Sequence, residues 1–323
     1  MGQVRRVTIV ALVGASLAGC DHPAPFAVPP PEHYRPDLTT LPARLTFNPR
    51  TTATPFVVGD TILFGWTDPA RRGNDRCLAT MPLDSGIITE LRCPGGSRPD
   101  TIRDAWSWAV PSPGGGRVAF VREQFIPVRS TLPITRQVVV GPRETPDAYT
   151  VVVGGSITAP SGALGNQFTH LSWADDSTVR FVGGLEAPVG SGRFTPFGVF
   201  AAPVNGGPPR FLAGTDDAFA YVPRPNGDLW VVRTGDSSAV IRVGPAGDTS
   251  LVIRFAAPVV DISTVEGHVV AAAPTLGIVQ VTDSGGFSTL WAIGGVTAVA
   301  GFPTQPRVVA LIENMLWLVE ARP

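Results

Sequence analysis

Turn signals and apolar runs alternate along most of this chain. Six times, a cluster containing Gly, Pro, Asn or Asp is followed directly by a run rich in Val, Ile, Leu, Phe or Trp. Because β-branched and aromatic residues favour strands, whereas Gly, Pro, Asn and Asp favour tight turns, each site predicts a turn that leads into a strand. The six sites are, in chain order, 59–64, 113–121, 175–182, 225–232, 266–271 and 306–310.

A second pattern follows each of the first five sites. It consists of a strand-like run, a turn and a further strand-like run, as in 198–204, Asn205-Gly206-Gly207 and 208–212. A further apolar run precedes the turn-and-strand site, as in 105–110 and 169–173. Each unit therefore predicts four strands, and the units recur about every 40 to 60 residues, a period typical of propeller blades.

These four-stranded units predict an all-β fold, a single β-propeller of six blades. One unit cannot bury both of its faces, whereas a closed ring buries them and removes most exposed strand edges. The sixth unit ends at 315–319 without an outer strand, and 44–47 is a strand-like piece before the first unit. We expect this N-terminal strand to take the missing place and close the ring. Seven blades, or a two-domain β-sandwich, are the alternative architectures.

Composition agrees with many short strands and excludes one class of partner. The 323 residues include 36 Gly and 33 Pro, which helices tolerate poorly. All basic residues are Arg, and 25 of them face 26 acidic residues, for a net charge of −1. A near-neutral balance gives no electrostatic basis for binding nucleic acid.

The start of the chain has the pattern of an export signal. Arg5-Arg6 precedes the apolar run 7–18, which is shorter than the roughly 20 residues that a membrane span needs. The run ends in Leu17-Ala18-Gly19-Cys20, which resembles the lipobox of bacterial lipoproteins. The resemblance implies cleavage before Cys20, lipidation of Cys20 and a membrane-tethered protein outside the cytoplasm. The location would be the periplasmic side of the inner or outer membrane, or the cell surface. A plain signal peptide or an uncleaved anchor is the alternative.

Three segments follow from these patterns. Residues 1–19 form the predicted signal peptide, residues 20–43 the lipidated cysteine and a linker with seven prolines, and residues 44–323 the propeller. Pro-rich linkers favour an extended conformation, so the linker would hold the propeller away from the membrane.

Two cysteines remain after Cys20. Cys77 and Cys93 are 16 positions apart, and a disulfide between them is expected in an oxidising compartment. In the chain-entropy account such a bridge contributes about 3 kcal/mol. A metal pair is the alternative, although no histidine or third cysteine lies nearby in the sequence.

One sequence motif indicates the type of propeller. Residues 112–120 read Ser-Pro-Gly-Gly-Gly-Arg-Val-Ala-Phe, which resembles the Ser-Pro-Asp-Gly repeat of TolB-type, WD-repeat-like propellers. Residues 199–212 resemble the outer strands of the same repeats. Gly114 stands where the repeat usually has Asp. The resemblance implies a propeller from residue 44 onward and a role in interactions at the cell envelope, although fold analogy is a weak guide to function.

Propeller topology groups the longest loops on one face. The loops between second and third strands and those between units share this face, and in the first three units they are long, as functional loops often are. Nine arginines in or beside them form a candidate binding surface, the arginine face: Arg71, Arg72, Arg76, Arg98, Arg103, Arg122, Arg129, Arg136 and Arg193. Guanidinium groups suit carboxylates, phosphates and protein interfaces. Acidic residues such as Asp68 and Glu123 share these loops, so a solvated surface with scattered ion pairs is the alternative.

The sequence contains no linear catalytic signature. A nucleophile elbow, a phosphate-binding loop and a dinucleotide fingerprint are all absent. The four histidines (His22, His33, His170 and His268) have no metal-ligand spacing and are predicted to be structural. The acidic pairs 175–176 and 216–217 could bind calcium or act as acids and bases, but both fall at turn positions that favour Asp anyway. We predict no catalytic residues, no metal site and no cofactor.

Three functions are consistent with these observations. The first is a lipid-anchored, extracytoplasmic propeller that binds a protein or another component of the envelope. The second is a propeller enzyme (a hydrolase, lyase or quinoprotein) with its site at the central channel. The third is a structural surface lipoprotein without a discrete site. His, Asp or Glu side chains that converge at the channel would favour catalysis, whereas apolar and Arg groups around an open rim would favour binding.

Overall fold

The protein is a six-bladed β-propeller. The computed structural model describes residues 37–46, 55–66, 77–92, 103–125, 135–142, 148–156, 168–185 and 195–321. Within these ranges there are no helices, and therefore none of the length and apolar character that crossing a membrane requires. Six antiparallel sheets of four strands each make up the ring, as the repeat pattern predicts.

Five of the six blades are simple meanders of four strands that are consecutive in the chain. The N-terminal strand is β1 (Ala43–Arg44). Blade 1 comprises β2 (Phe56–Val58), β3 (Thr61–Trp66), β4 (Cys77–Pro82) and β5 (Thr89–Arg92). Blade 2 comprises β6 (Arg103–Pro111), β7 (Arg117–Phe125), β8 (Thr135–Pro142) and β9 (Thr150–Ser156). Blade 3 comprises β10 (Phe168–Asp175), β11 (Thr178–Gly183), β12 (Gly198–Pro203) and β13 (Arg210–Phe211).

The second half of the ring repeats this order. Blade 4 comprises β14 (Ala218–Pro223), β15 (Leu229–Arg233), β16 (Asp236–Val243) and β17 (Thr249–Arg254). Blade 5 comprises β18 (Asp261–Val265), β19 (His268–Ala273), β20 (Gly277–Val281) and β21 (Phe287–Trp291). Blade 6 comprises β22 (Val296–Gly301), β23 (Arg307–Ile312), β24 (Met315–Glu320) and, from the other end of the chain, β1.

The first strand of every blade lies at the centre. The inner strands β2, β6, β10, β14, β18 and β22 contact one another in that order, and β22 returns to β2. Since each blade starts at its inner strand and adds the next strands outward, the six inner strands run in the same direction along the axis. They form the wall of a central channel.

The core is divided among the interfaces between blades. Six apolar clusters lie within the described residues, one for each pair of neighbouring blades. In β19, Val269 and Ala271 pack towards blade 4, whereas Val270 and Ala272 pack towards blade 6. Both faces of the strand are thus buried, which explains why the sequence shows a continuous apolar run rather than alternation.

β1 closes the ring, as expected. Ala43 lies opposite Leu318, and the Leu45 amide donates a hydrogen bond to the Leu316 carbonyl oxygen at 2.8 Å. The Leu316 amide in turn donates to the Thr46 hydroxyl oxygen at 2.9 Å. Leu45 and Thr46 are both almost completely buried. The first described strand of the propeller is therefore tied to the last.

The turn of the TolB-like phrase depends on the neighbouring blade. The Gly114 amide donates to Asp176 Oδ1 in blade 3 at 2.8 Å, and a Cβ atom at Gly114 would lie 2.9 Å from Asp176 Oδ2. The neighbouring Asp175 accepts hydrogen bonds from the amide and hydroxyl of Ser177, which lower the pKa of its carboxyl below the ordinary value of 3.8. Both aspartates of the pair 175–176 thus stabilise turns.

Of the two cysteines predicted to form a disulfide, the structure describes Cys77. Cys77 is completely buried at the start of β4 and is disulfide-bonded. Cys93 lies outside the described residues, so its pairing with Cys77 stays a prediction. The signal sequence, Leu17-Ala18-Gly19-Cys20 and most of the linker also lie outside the described residues.

Replacing Thr46 should weaken the closure of the ring. In Thr46→Val the buried Leu316 amide loses its acceptor, and we expect the free energy of unfolding to fall by about 1–3 kcal/mol. Urea denaturation followed by circular dichroism measures this change. Thr249→Val, on the exposed part of β17, is the matched control and should change stability little. Equal stability of the two variants would contradict the prediction.

Candidate functional site

The channel contains a cavity that touches every blade. Its volume is about 310 Å³, and residues from all six inner strands line it. The aromatic lining residues are Phe56, Trp108, Trp173 and Tyr221, and the polar ones are His170, Ser172, Asp261, Ser263 and Thr264. The chain has no Lys, and no Arg is among the described residues that line the cavity.

A histidine and an aspartate meet across this channel. His170 on β10 of blade 3 reaches past blade 4, and its Nε2 lies 2.9 Å from Asp261 Oδ1 on β18 of blade 5. The side chains are 12% and 5% exposed, so the pair is largely removed from water. The Asp261 carboxylate also accepts the amides of Ile262 and of Val299, the second from blade 6, at 2.9 Å each. One carboxylate therefore links three blades.

The hydrogen bonds determine the tautomer of the ring. Since amide donors already point at both oxygens of Asp261, the carboxylate acts as an acceptor and His170 Nε2 carries the proton. In the neutral imidazole Nδ1 is then an acceptor, and the Thr169 hydroxyl lies 3.1 Å from it. The result is a chain of hydroxyl, imidazole and carboxylate.

Trp108 packs against the same imidazole. The ring centroids of Trp108 and His170 are 4.4 Å apart, and the ring planes are tilted by 39°. Both residues have left-handed backbones, with φ of 55° for Trp108 and 49° for His170. This conformation costs a residue other than Gly about 1–2 kcal/mol. The two rings that meet in the channel therefore both sit on strained backbone.

A β-bulge produces each of these conformations. In β6, Trp108 and Ala109 occupy the space between the paired residues Ser107 and Val110, where β7 contributes one residue. His170 and Leu171 form the same irregularity in β10. Bulges turn a side chain away from its regular direction and are common beside functional sites. Equivalent bulges in adjacent blades bring Trp108 and His170 together.

Further hydrogen bonds join the inner strands below this pair. The hydroxyl oxygens of Ser172 and Tyr221 are 2.6 Å apart and connect blades 3 and 4. Burial raises the pKa of Tyr221 well above its ordinary value of 10.0, although the hydrogen bond with Ser172 and the charge of Arg180 oppose this shift. The indole nitrogen of Trp173 donates to the Val110 carbonyl oxygen at 2.9 Å and connects blades 3 and 2.

Two arginines of the predicted arginine face, Arg122 and Arg136, have described side chains in blade 2. The cavity extends to Pro111 and Pro113, beside the turn into β7, whereas Arg122 and Arg136 lie near the other end of β7 and its partner β8. Arg136 Nε donates to Glu123 Oε1 at 2.5 Å, across the strand pair.

Arg122 is held by aromatic neighbours. Its Nη1 donates to Gln137 Oε1 at 3.2 Å, and its guanidinium carbon lies 5.1 Å from the ring centre of Tyr149 and 5.7 Å from that of Trp106. The Arg103 backbone begins β6, and the remaining six arginines lie outside the described residues, so the arginine face stays a prediction: Arg71, Arg72, Arg76, Arg98, Arg129 and Arg193.

The sequence does not predict that His170 pairs with Asp261, and the structural role expected for His170 stays a prediction. Asp261 lies 91 positions away, and no local motif connects the two residues. The repeats do carry one signal for this pair, because aligning them places both His170 and Asp261 on the first strand of a blade. His268, by contrast, lies exposed at the start of β19. No group of three His, Cys, Asp or Glu among the described residues could hold a metal ion.

Comparison with known proteins concerns the fold. No family model matches the chain, and no curated protein is detectably similar to it in sequence. A gluconolactonase from Xanthomonas campestris is similar in structure, with a TM-score of 0.57 at 14% identity, over 86% of this chain and 88% of that one. A structural-genomics protein provisionally assigned as a gluconolactonase has a TM-score of 0.56 at 15% identity, over 86% and 90% of the two chains.

A third similar structure is the β-propeller domain of Swd1 from Myceliophteria thermophila. Its TM-score is 0.50 at 9% identity, over 86% of this chain and 98% of that one. These likenesses show the fold. The chain is a β-propeller, and its more specific resemblance to TolB-type lipoproteins stays a prediction.

The buried Tyr221 should make the protein sensitive to alkali. Because burial raises the pKa of Tyr221 in the folded state, the folded chain retains the proton that the unfolded chain releases near pH 10. Stability is therefore unaffected by this group below pH 10 and falls as the pH rises further, by up to about 1.4 kcal/mol per pH unit. Urea denaturation between pH 9 and 11.5 measures the slope. Tyr221→Phe, although less stable at neutral pH without its bond to Ser172, should show a flatter slope, and equal slopes would contradict the prediction.

The left-handed backbone of His170 predicts an order among its variants. Asn tolerates this conformation, whereas a β-branched residue does not. Both variants disrupt the bond to Asp261. We expect the free energy of unfolding of His170→Val to be lower than that of His170→Asn by about 1 kcal/mol or more, as measured by urea denaturation. At His268, whose strand backbone favours Val, we expect His268→Val to be as stable as His268→Asn or more stable. The same order at both histidines would show that strain at His170 is not the cause.

Proposed function

We propose that the chain is a lipid-anchored, extracytoplasmic propeller that binds a small organic molecule in its central channel. The observation that carries this proposal is the cavity itself. Its volume of about 310 Å³, its aromatic wall and its few polar groups agree with the common properties of small-molecule sites.

Backbone strain supports a role for the channel beyond structure. Trp108 and His170 both have φ values that cost free energy, and both lie at the cavity. Strained residues cluster at binding and catalytic sites, since the surrounding structure must hold them in place. A purely structural channel could use Gly at both positions without this cost.

The sequence supports the location. The charged start, the short apolar run and Leu17-Ala18-Gly19-Cys20 match a lipoprotein signal, and the proline-rich segment that follows would separate the propeller from the membrane. A membrane-tethered protein can offer its arginine face to a second component of the envelope while the channel remains accessible from the opposite end.

A propeller hydrolase is the second candidate. It is favoured by the order Thr169 hydroxyl, His170 imidazole and Asp261 carboxylate, with distances of 3.1 and 2.9 Å. In this arrangement His170 Nδ1 can take a proton from a hydroxyl group while Asp261 stabilises the resulting imidazolium. The gluconolactonases of similar structure provide only an analogy of fold.

Metabolic labelling tests the anchor. Cells that express the full chain and receive labelled palmitate should yield a labelled protein, and Cys20→Ser should abolish the label because it removes the thiol that is acylated. Asp21→Ser retains that thiol and is the matched control. A labelled Cys20→Ser protein, or an unlabelled wild type, would refute the lipid anchor.

A filled channel tests the binding site. Thr264 lines the cavity and is half-buried, so Thr264→Phe places a ring in the space that a ligand would occupy. Small molecules that raise the melting temperature of the wild type, in a screen of diverse fragments, should fail to do so with this variant. Fragments that stabilise both proteins equally would place their binding outside the channel.

A further inference from the structure

We infer that the ligand of the channel is an uncharged, flat ring compound of one or two fused rings with one or two hydrogen-bonding groups. It is neither an anion nor a polyhydroxylated sugar derivative. This inference rests on the proposed function, because it names the class of molecule that the proposed site would take.

The charges of the lining exclude an anion. Apart from Tyr221, His170 and Asp261 are the ionisable side chains among the described lining residues, and each is already the partner of the other at 2.9 Å. No arginine lines the described cavity, so an entering carboxylate or phosphate would lose its water without gaining a free cation. An uncharged molecule avoids this loss.

The same pairing disfavours a cation. The Asp261 carboxylate accepts hydrogen bonds from the amides of Ile262 and Val299 and from His170. Two of these donors bond to Oδ1 and one to Oδ2, and the carboxylate is only 5% exposed. A positively charged ligand would therefore lose its water in exchange for a carboxylate whose charge is already offset by three donors, which is unfavourable.

The polar groups of the lining are too few and too well paired for a sugar. The hydroxyls of Ser172 and Tyr221 bond to each other, and the Ser263 hydroxyl oxygen accepts the Gly301 amide at 3.0 Å. A polyhydroxylated ligand would bury many hydroxyl groups without partners. One or two polar groups can still be accommodated, since Ser263 retains its own proton to donate and Thr264 is half-buried at the wall.

The shape of the wall favours a flat ring. Trp108 and Phe56 line the cavity and are only half-buried, and Trp108 is oriented by its contact with His170. Aromatic rings pair in offset or edge-on arrangements, so a half-buried indole in a confined space favours another ring as its neighbour. A cavity of about 310 Å³ lies at the lower end of ligand sites, which limits the molecule to roughly one or two fused rings.

Three probes of similar size separate these classes. The first is 2-naphthol, which has two fused rings, one hydroxyl and no charge at neutral pH. The second is 2-naphthoate, which keeps the rings but carries a negative charge, and the third is glucono-δ-lactone, a polyhydroxylated ring. Isothermal titration calorimetry of the whole chain, in detergent if it is lipidated, should give a dissociation constant for 2-naphthol at least tenfold lower than for either of the others.

Three variants test where 2-naphthol binds and whether the Trp108 ring contributes to its binding. Trp108→Leu should weaken binding of 2-naphthol at least tenfold, and Thr264→Phe should abolish it. Trp317→Leu is the matched control, because Trp317 packs on Trp291 away from the lining residues, and it should leave binding unchanged. Near-ultraviolet circular dichroism confirms that each variant is folded.

The possible outcomes distinguish the two proposals. If glucono-δ-lactone or 2-naphthoate binds more tightly than 2-naphthol, and Thr264→Phe abolishes that binding, the channel is a ligand site but the inferred ligand class is wrong. If neither these probes nor the fragments bind in a way that depends on the channel, the proposed function fails as well. Binding of 2-naphthol that survives both Trp108→Leu and Thr264→Phe would also overturn the inference.

Discussion

A blade of this protein has two apolar faces, and burying both requires a neighbour on each side. The strand β19 shows the constraint directly, because Val269 and Ala271 pack against one neighbouring blade while Val270 and Ala272 pack against the other. A row of such blades would leave one face exposed at each end. Closure into a ring removes both ends, and the contacts of β1 with β24 fasten the ring with backbone hydrogen bonds from opposite parts of the chain.

Closure also creates the channel. Six inner strands that run in the same direction place equivalent positions of every blade around one axis, so that residues far apart in the sequence become neighbours. Asp261 illustrates the consequence, since its carboxylate binds groups from blades 3, 5 and 6. The pair with His170 therefore depends on the completed ring rather than on any one blade.

The channel differs from the rest of the interior in what it contains. The interfaces between blades are filled with Val, Ala, Ile, Leu and Phe. The channel instead holds bulged strands, a paired histidine and aspartate, and half-buried aromatic rings around open space. Within the described inner strands, two adjacent blades also carry a residue other than Gly with left-handed backbone, Trp108 and His170. Such departures are expected where a protein binds or reacts rather than where it merely folds.

The sequence by itself determined the repeated unit. Turn residues followed by apolar runs are local signals, and they were sufficient to predict six four-stranded blades, the position of most strands and the use of an N-terminal strand to close the ring. They succeeded because burial of both faces of a strand requires the same apolar pattern in every blade. The tertiary structure alone decided the site: the left-handed backbones of Trp108 and His170 lie at bulges in their strands, and the partnership of His170 with Asp261 spans 91 positions. No local pattern encodes a contact of that range, because it exists only after all six blades have met.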